Sequence, residues 1–202
     1  MNSLQRVIKT IVVITTLLLC NICFAESASF YNVNENAYGS DYAILQEDEL
    51  GSYVEIEQRG DHNDVYVSQY GSDLSASVTQ IGNYNDLSVE QTGGSHIADL
   101  YQDGLQLDLQ LIQSGEQQIA DVEQYGSYND IDINQSGFSN QALISQNGTA
   151  NDITLVQSGE FGIANIFQEG SNNSIEVVQS VNGALATVTQ TGHNMKAHII
   201  QD

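Results

Sequence analysis

Val65-Tyr66-Val67-Ser68-Gln69 alternates apolar and polar side chains, and Gly71 follows two residues after the glutamine. Alternation of this kind is the period of a half-buried strand, and glycine marks the turn that closes it. The same sentence is written again eleven residues on, and again after that. Its glutamine recurs at Gln58, Gln69, Gln80, Gln91, Gln102, Gln113, Gln124, Gln135, Gln146, Gln157, Gln168, Gln179, Gln190 and Gln201, with no insertion. The whole chain of 202 residues holds 21 glutamines, so chance does not place fourteen of them in one register.

Three further columns share the spacing. Two residues after each Gln stands Gly, with Val181 as the exception. Nine residues after stands an aliphatic at every copy, from Val67 to Ile199. Five residues after, Asn recurs at Asn63, Asn85, Asn129, Asn140, Asn151 and Asn173. The column seven after Gln alternates between large and small: Val65, Ala76, Leu87, Ala98, Leu109, Ala120, Ile131, Ala142, Ile153, Ala164, Ile175, Ala186, with Ala197 breaking the rule. The true repeat is therefore 22 residues, made of two unequal halves.

Strand-turn-strand-turn at a fixed period predicts an all-β solenoid. About seven 22-residue coils follow from fourteen strands, with two parallel in-register sheets facing each other. Each coil climbs one strand spacing, about 4.8 Å. Residues 22 apart then stack in one sheet, so a large column faces an alanine column and fills a thin core. The glutamines fall on the inward face. A buried amide needs partners for two donors and an acceptor, and stacked identical amides supply them along a ladder. Gly and Asn mark the turns, since both tolerate positive φ and Asn bonds backbone through its side chain. Proline, which cannot donate to a ladder, is absent from the chain.

The first 25 residues read differently. Arg6 and Lys9 precede an apolar stretch from Ile11 to Cys20, and Cys23-Phe24-Ala25 fits a cleavage site before Glu26. This is the pattern of a secretory signal peptide, and the apolar run is short for a membrane span. Leu19 and Ile22, which precede the two cysteines, do not fit a lipidation site. The expected organisation is a signal at 1–25, an N-terminal leader at 26–50 that is disordered or caps the stack, and the repeat solenoid at 51–202. Tyr42 to Gln46 resembles an imperfect strand, with Gln46 one residue out of register. Both cysteines leave with the signal, so the mature chain has no disulfide and no thiolate chemistry. Arg6 and Lys9 leave too, which takes the net charge from −22 to −24. Such a chain does not suit nucleic acid, because phosphate binding needs Lys and Arg.

Gln135-Ser-Gly137-Phe-Ser-Asn140-Gln-Ala142-Leu-Ile-Ser-Gln146 matches every defined position of the curlin repeat, and the Gln, Gly and aliphatic columns match from about residue 54 onward. The chain thus resembles the curli subunits, secreted bacterial proteins that assemble extracellular amyloid fibres. The resemblance implies a cell-surface fibre in biofilm matrix and adhesion. It implies partnership with itself, with other curlin subunits and with the curli secretion and assembly machinery of the outer membrane. No small-molecule substrate and no cofactor are implied. The unbroken spacing of eleven and a leader without glycine runs resemble the minor, nucleating subunit more than the major one. The Asn column departs from the pattern at several copies, as at Leu74, Leu107 and Met195.

The position five before Gln faces outward. In one sheet it carries Asp64, Asp86, Asp108, Asp130 and Asp152, then Ser174 and Lys196. Like charges opposite one another on neighbouring strands destabilise a sheet. The column is read as a solvated brake on premature aggregation, and relief of its repulsion by acid or divalent cations as a spur to assembly. The other sheet carries Ile97, Ile119, Ile163 and Leu185 there, an aliphatic row for lateral packing or for partial burial at a corner. The strand from Ala197 to Gln201 has no cap sequence after it, so its backbone groups are expected to template another chain.

An enzyme is not expected. His62, His96, His193 and His198 form no cluster with metal-ligand spacing, the carboxylates recur instead of converging, and no nucleophile motif stands out. Calcium β-rolls repeat every nine residues, not eleven. The alternative of a different class is a soluble β-solenoid adhesin or binding module that stays monomeric.

Overall fold

The structure, a computed structural model, describes residues 30–38 and 41–202. The expected signal peptide at 1–25 lies outside the described residues. All regular structure among the described residues is strand. The strands are β1 (Phe30–Tyr38), β2 (Asp41–Leu50), β3 (Tyr53–Asp61), β4 (Asp64–Ser72), β5 (Ser75–Asn83) and β6 (Asp86–Gly94). Next come β7 (Ile97–Leu105), β8 (Asp108–Glu116), β9 (Ile119–Ser127), β10 (Asp130–Phe138) and β11 (Gln141–Thr149). The last are β12 (Asp152–Gln157), β13 (Ile163–Ser171), β14 (Ser174–Gln179), β15 (Leu185–His193) and β16 (Lys196–Gln201).

Odd-numbered strands form one eight-stranded sheet and even-numbered strands the other, each in chain order. Every pair is parallel, and Gln stacks on Gln from coil to coil, as in Gln91↔Gln113 and Gln124↔Gln146. The expected seven-coil stack spans β3 to β16. One further coil, β1 with β2, precedes it. That coil is offset by 23 residues instead of 22, as in Glu35↔Gln58 and Gln46↔Gln69. A bulge between Asp48 and Leu50 absorbs the extra residue and restores the register for everything downstream. This is why Gln46 looks out of step in the sequence yet holds a ladder position.

The core is the filling between the sheets. Leu87, Leu109, Ile131 and Ile153 in one sheet and Ala76, Ala98, Ala120 and Ala164 in the other are all at most 1% exposed. Side chains at the strand ends decide what the turns can be. A Cβ added to Gly82 would meet the carbonyl oxygen of Gly104 at 1.9 Å, and one on Gly93 would meet that of Gly115 at 1.9 Å. Backbone stacks on backbone there, so a Cβ does not fit in this glycine column without opening the stack. Val181 stands in that column, and the strands respond. β14 stops at Gln179 and β12 beneath it at Gln157, both six residues long where β10 of the same sheet has nine. Asn182 covers part of the gap by accepting the Glu160 N–H at 3.0 Å.

The asparagines need one correction. The left-handed residue of each turn is the one before the Asn column, at His62, Asp73, Tyr84, Ser95, Gln106 and their successors, with φ near +55°. The six column asparagines are not left-handed. They are buried and act through their side chains.

Candidate assembly surface

The strand period turns one glutamine per half-coil inward, and the parallel in-register stack brings those 22 apart to hydrogen-bonding distance. In one sheet the ladder runs Gln58, Gln80, Gln102, Gln124, Gln146, Gln168, Gln190, and in the other Gln69, Gln91, Gln113, Gln135, Gln157, Gln179, Gln201. Each Nε2 donates to the Oε1 of the next coil, at 2.8 Å from Gln91 to Gln113 and 2.8 Å from Gln102 to Gln124. The other N–H of the same amide donates across the corner to a backbone carbonyl of the facing sheet. Gln91 reaches Ser75 O at 3.1 Å, and Gln124 reaches Asp108 O at 3.0 Å. Each ladder therefore fastens coil to coil and sheet to sheet. It also has a direction, because every amide donates toward the C-terminal coil.

The Asn column forms a second fastening at the turns. Nδ2 of Asn151 donates to Asn147 O at 3.3 Å and to Gly170 O at 3.1 Å, while its Oδ1 accepts the Asn173 N–H at 3.1 Å. Asn63, Asn85, Asn129, Asn140 and Asn173 make the same set in their own turns. Sequence reasoning missed two members. Gln118 bonds Ser114 O at 3.2 Å and Gly137 O at 2.9 Å, and accepts the Asn140 N–H at 3.0 Å. His96, fully buried, takes Thr92 O at 3.1 Å with Nε2 and the Gln118 N–H at 3.2 Å with Nδ1. An Nδ1 that accepts carries no proton, so the ring is neutral with its hydrogen on Nε2. Burial pushes its pKa down. The signal available was position alone, since both residues stand five after a ladder glutamine.

Asp64, Asp86, Asp108, Asp130 and Asp152 stack in register on the outer face of the even-numbered sheet, with Asp41 at the register position before Asp64. Partial desolvation raises the pKa of Asp86 and Asp108, with a further push from Asp64 on Asp86 and from Asp86 and Asp132 on Asp108. Partial desolvation, and then Asp108, Asp132 and Asp152, lift Asp130 to about 6. On the other sheet Ile97, Ile119, Ile163 and Leu185 are 48%, 36%, 38% and 59% exposed, so this row faces solvent. His193 pairs with Ser171 through Nδ1 at 2.6 Å, and His198 lies 3.7 Å from Glu176. Among the described residues no three groups of metal-ligating type gather.

Such a molecule is a repeat-built parallel β-solenoid, whose recurring buried side chains serve cohesion between coils. Three stretches, residues 51–82, 107–137 and 128–159, match the family model described as Curlin associated repeat. The chain carries curlin-associated repeats over these stretches. No curated protein matches it, and no solved structure does.

Proposed function

We propose that the chain is a structural subunit of secreted, extracellular curli-type fibres, polymerising through its end coils. One observation carries the reading. Both sheets finish on strands, β15 and β16, that keep the in-register pattern of every interior strand and pair on one side only. Such an edge offers unpaired N–H and C=O groups to another chain. The repeats and the solenoid support a structural role over an enzymatic one. The biofilm and adhesive setting and the outer-membrane secretion partners rest on the family resemblance.

Within that role we read the chain as the minor, nucleating subunit, on its unbroken spacing of eleven. Fibre growth from purified protein, followed with an amyloid dye, tests the polymerising role, and a persistent monomer sinks it. Trace amounts of the chain added to an acidic curlin separate nucleator from bulk subunit. A nucleator abolishes the lag at trace levels, whereas a bulk subunit shortens it only in proportion to its amount.

A further inference from the structure

The two ends of the stack carry opposite chemistry in the same columns. Lys196 closes the column that holds the five aspartates, opposite Ser174, and is exposed. Asp41 opens that column, opposite Asp64. A neighbouring column leaves apolar surface at both ends. Val67, Val89, Leu111, Leu155 and Val177 are 0% exposed, while Ile44 at one end and Ile199 at the other are only partly buried against the core. The ladder has its own polarity. Gln201 gives one Nε2 hydrogen to Leu185 O at 3.1 Å, and its second is the one that each earlier rung sends to the next coil. The acceptor-bearing residues Gln46 and Glu35 stand at the first ladder positions.

We propose that copies of this chain join head to tail in one register, β15 on the next copy's β1 and β16 on its β2, with Lys196 falling opposite Asp41 as the register-setting pair. The proposal rests on the polymerising role above and adds polarity and register to it. Such a junction continues all the columns at once. Ile199 meets the position of Ile44 and both become covered. Gln201 meets the position of Gln46, so the donor direction of the ladder is kept. The pair Lys196 and Asp41 replaces like-charge stacking with attraction at the one step where two molecules meet. A tail-to-tail contact fails on each count. It brings two donor ends together and takes Lys196 away from Asp41, and copies related by a two-fold would pair antiparallel where every pair here is parallel. A slip of one residue along the strand turns the inward set outward. A slip of two keeps the faces but places Lys196 at Ala43, so charge decides between the remaining registers.

The experiment is seeded elongation of the full chain at low ionic strength, with wild-type and variant monomers growing from seeds of their own kind. Lys196→Asp puts like charges at the junction, and elongation is expected to slow by about tenfold or more. The double variant Lys196→Asp with Asp41→Lys has the wild-type net charge and is expected to recover to within about threefold of the wild-type rate, because charge pairing is restored. Lys196→Asp with Asp64→Lys has the same net charge and is expected to stay slow. The register is overturned if Lys196→Asp elongates at the wild-type rate, if Asp41→Lys fails to rescue it, or if Asp64→Lys rescues it equally. A wild-type chain that never forms fibres sinks the polymerising role itself, which is a different outcome from any of these.

Discussion

Gln91 donates from Nε2 to Oε1 of Gln113 at 2.8 Å, and Gln113 passes the same bond to Gln135 at 2.9 Å. All three side chains are at most 1% exposed. Replacing Gln113 by Leu therefore leaves a buried N–H on Gln91 and a buried oxygen on Gln135 without partners. The expected loss of stability is about 3 kcal/mol, since each orphaned group costs roughly 1–3 kcal/mol. Urea unfolding of the soluble chain measures it, and a midpoint unchanged from wild type contradicts the ladder as a source of cohesion.

Asp130 is lifted to about 6 by partial desolvation and by Asp108, Asp132 and Asp152 around it. A carboxylate that binds its proton more tightly when folded stabilises the fold fully below its unfolded pKa, near 3.9, and that contribution is lost as pH rises through about 6. At pH 7 the column is thus a liability, and the stack should gain stability on acidification toward pH 4. Asp130→Asn is expected to raise stability at pH 7 by up to about 1 kcal/mol, the scale of a cross-strand pair, and to change little at pH 4. Thermal unfolding at the two pH values reads the difference.

His96 works in the opposite sense. Burial lowers its pKa, so its contribution is present above its unfolded value of about 6.5 and is lost as pH falls through the folded one. Protonating Nδ1 also breaks the bond from the Gln118 N–H. His96→Asn installs the residue that the same stack uses at Asn140, where an amide oxygen makes the same kind of acceptance without titrating. The variant should match wild type at pH 8 and exceed it at pH 5. Equal stability of the two at pH 5 would show that the ring is not held neutral by its place in the column.

Two turn glycines with positive φ should respond very differently to alanine. At Gly82, with φ +109°, the new Cβ meets a backbone carbonyl oxygen at 1.9 Å, and neither chain can yield without opening the stack. At Gly183, with φ +70°, nothing lies within 4 Å. Gly183→Ala should cost only the left-handed strain of about 1–2 kcal/mol. Gly82→Ala should cost at least about 4 kcal/mol, in the range reserved for disrupted packing. Comparable losses at the two sites, compared by chemical denaturation, would deny that close backbone approach dictates the Gly column.

Val181 supplies the converse case. Val181→Gly returns glycine to the column, and β12 and β14 should then extend past Gln157 and Gln179 toward the nine-residue length of β10. Hydrogen exchange at residues 158–160 and 180–182 reports this as slower exchange in the variant.

Much of this was legible because the period admits no slip. An eleven-residue spacing held over fourteen glutamines dictates two sheets, parallel pairing and the identity of each stacked column. Three things were not legible. The left-handed turn residue carries no compositional mark, since His62, Tyr84, Ala150 and Phe161 all adopt φ near +57°; the turn's hydrogen bonds impose it whatever the side chain. The membership of His96 and Gln118 in the asparagine column was hidden by their different side chains, which nonetheless present an acceptor and a donor at the same reach. The first coil was masked by one extra residue, which the bulge beside Asp48 takes up.

The sequence by itself determined the repeat, the inward glutamines and the facing of large columns by alanine, because these follow from a strand period of two and a fixed coil length. Only the tertiary structure decided the direction of the glutamine ladder, the tautomer of His96 and the chemistry of the two ends. Those depend on which atom of an amide or imidazole meets which backbone group one coil away, and such a contact between residues 16, 19 or 22 apart exists only once the stack has closed.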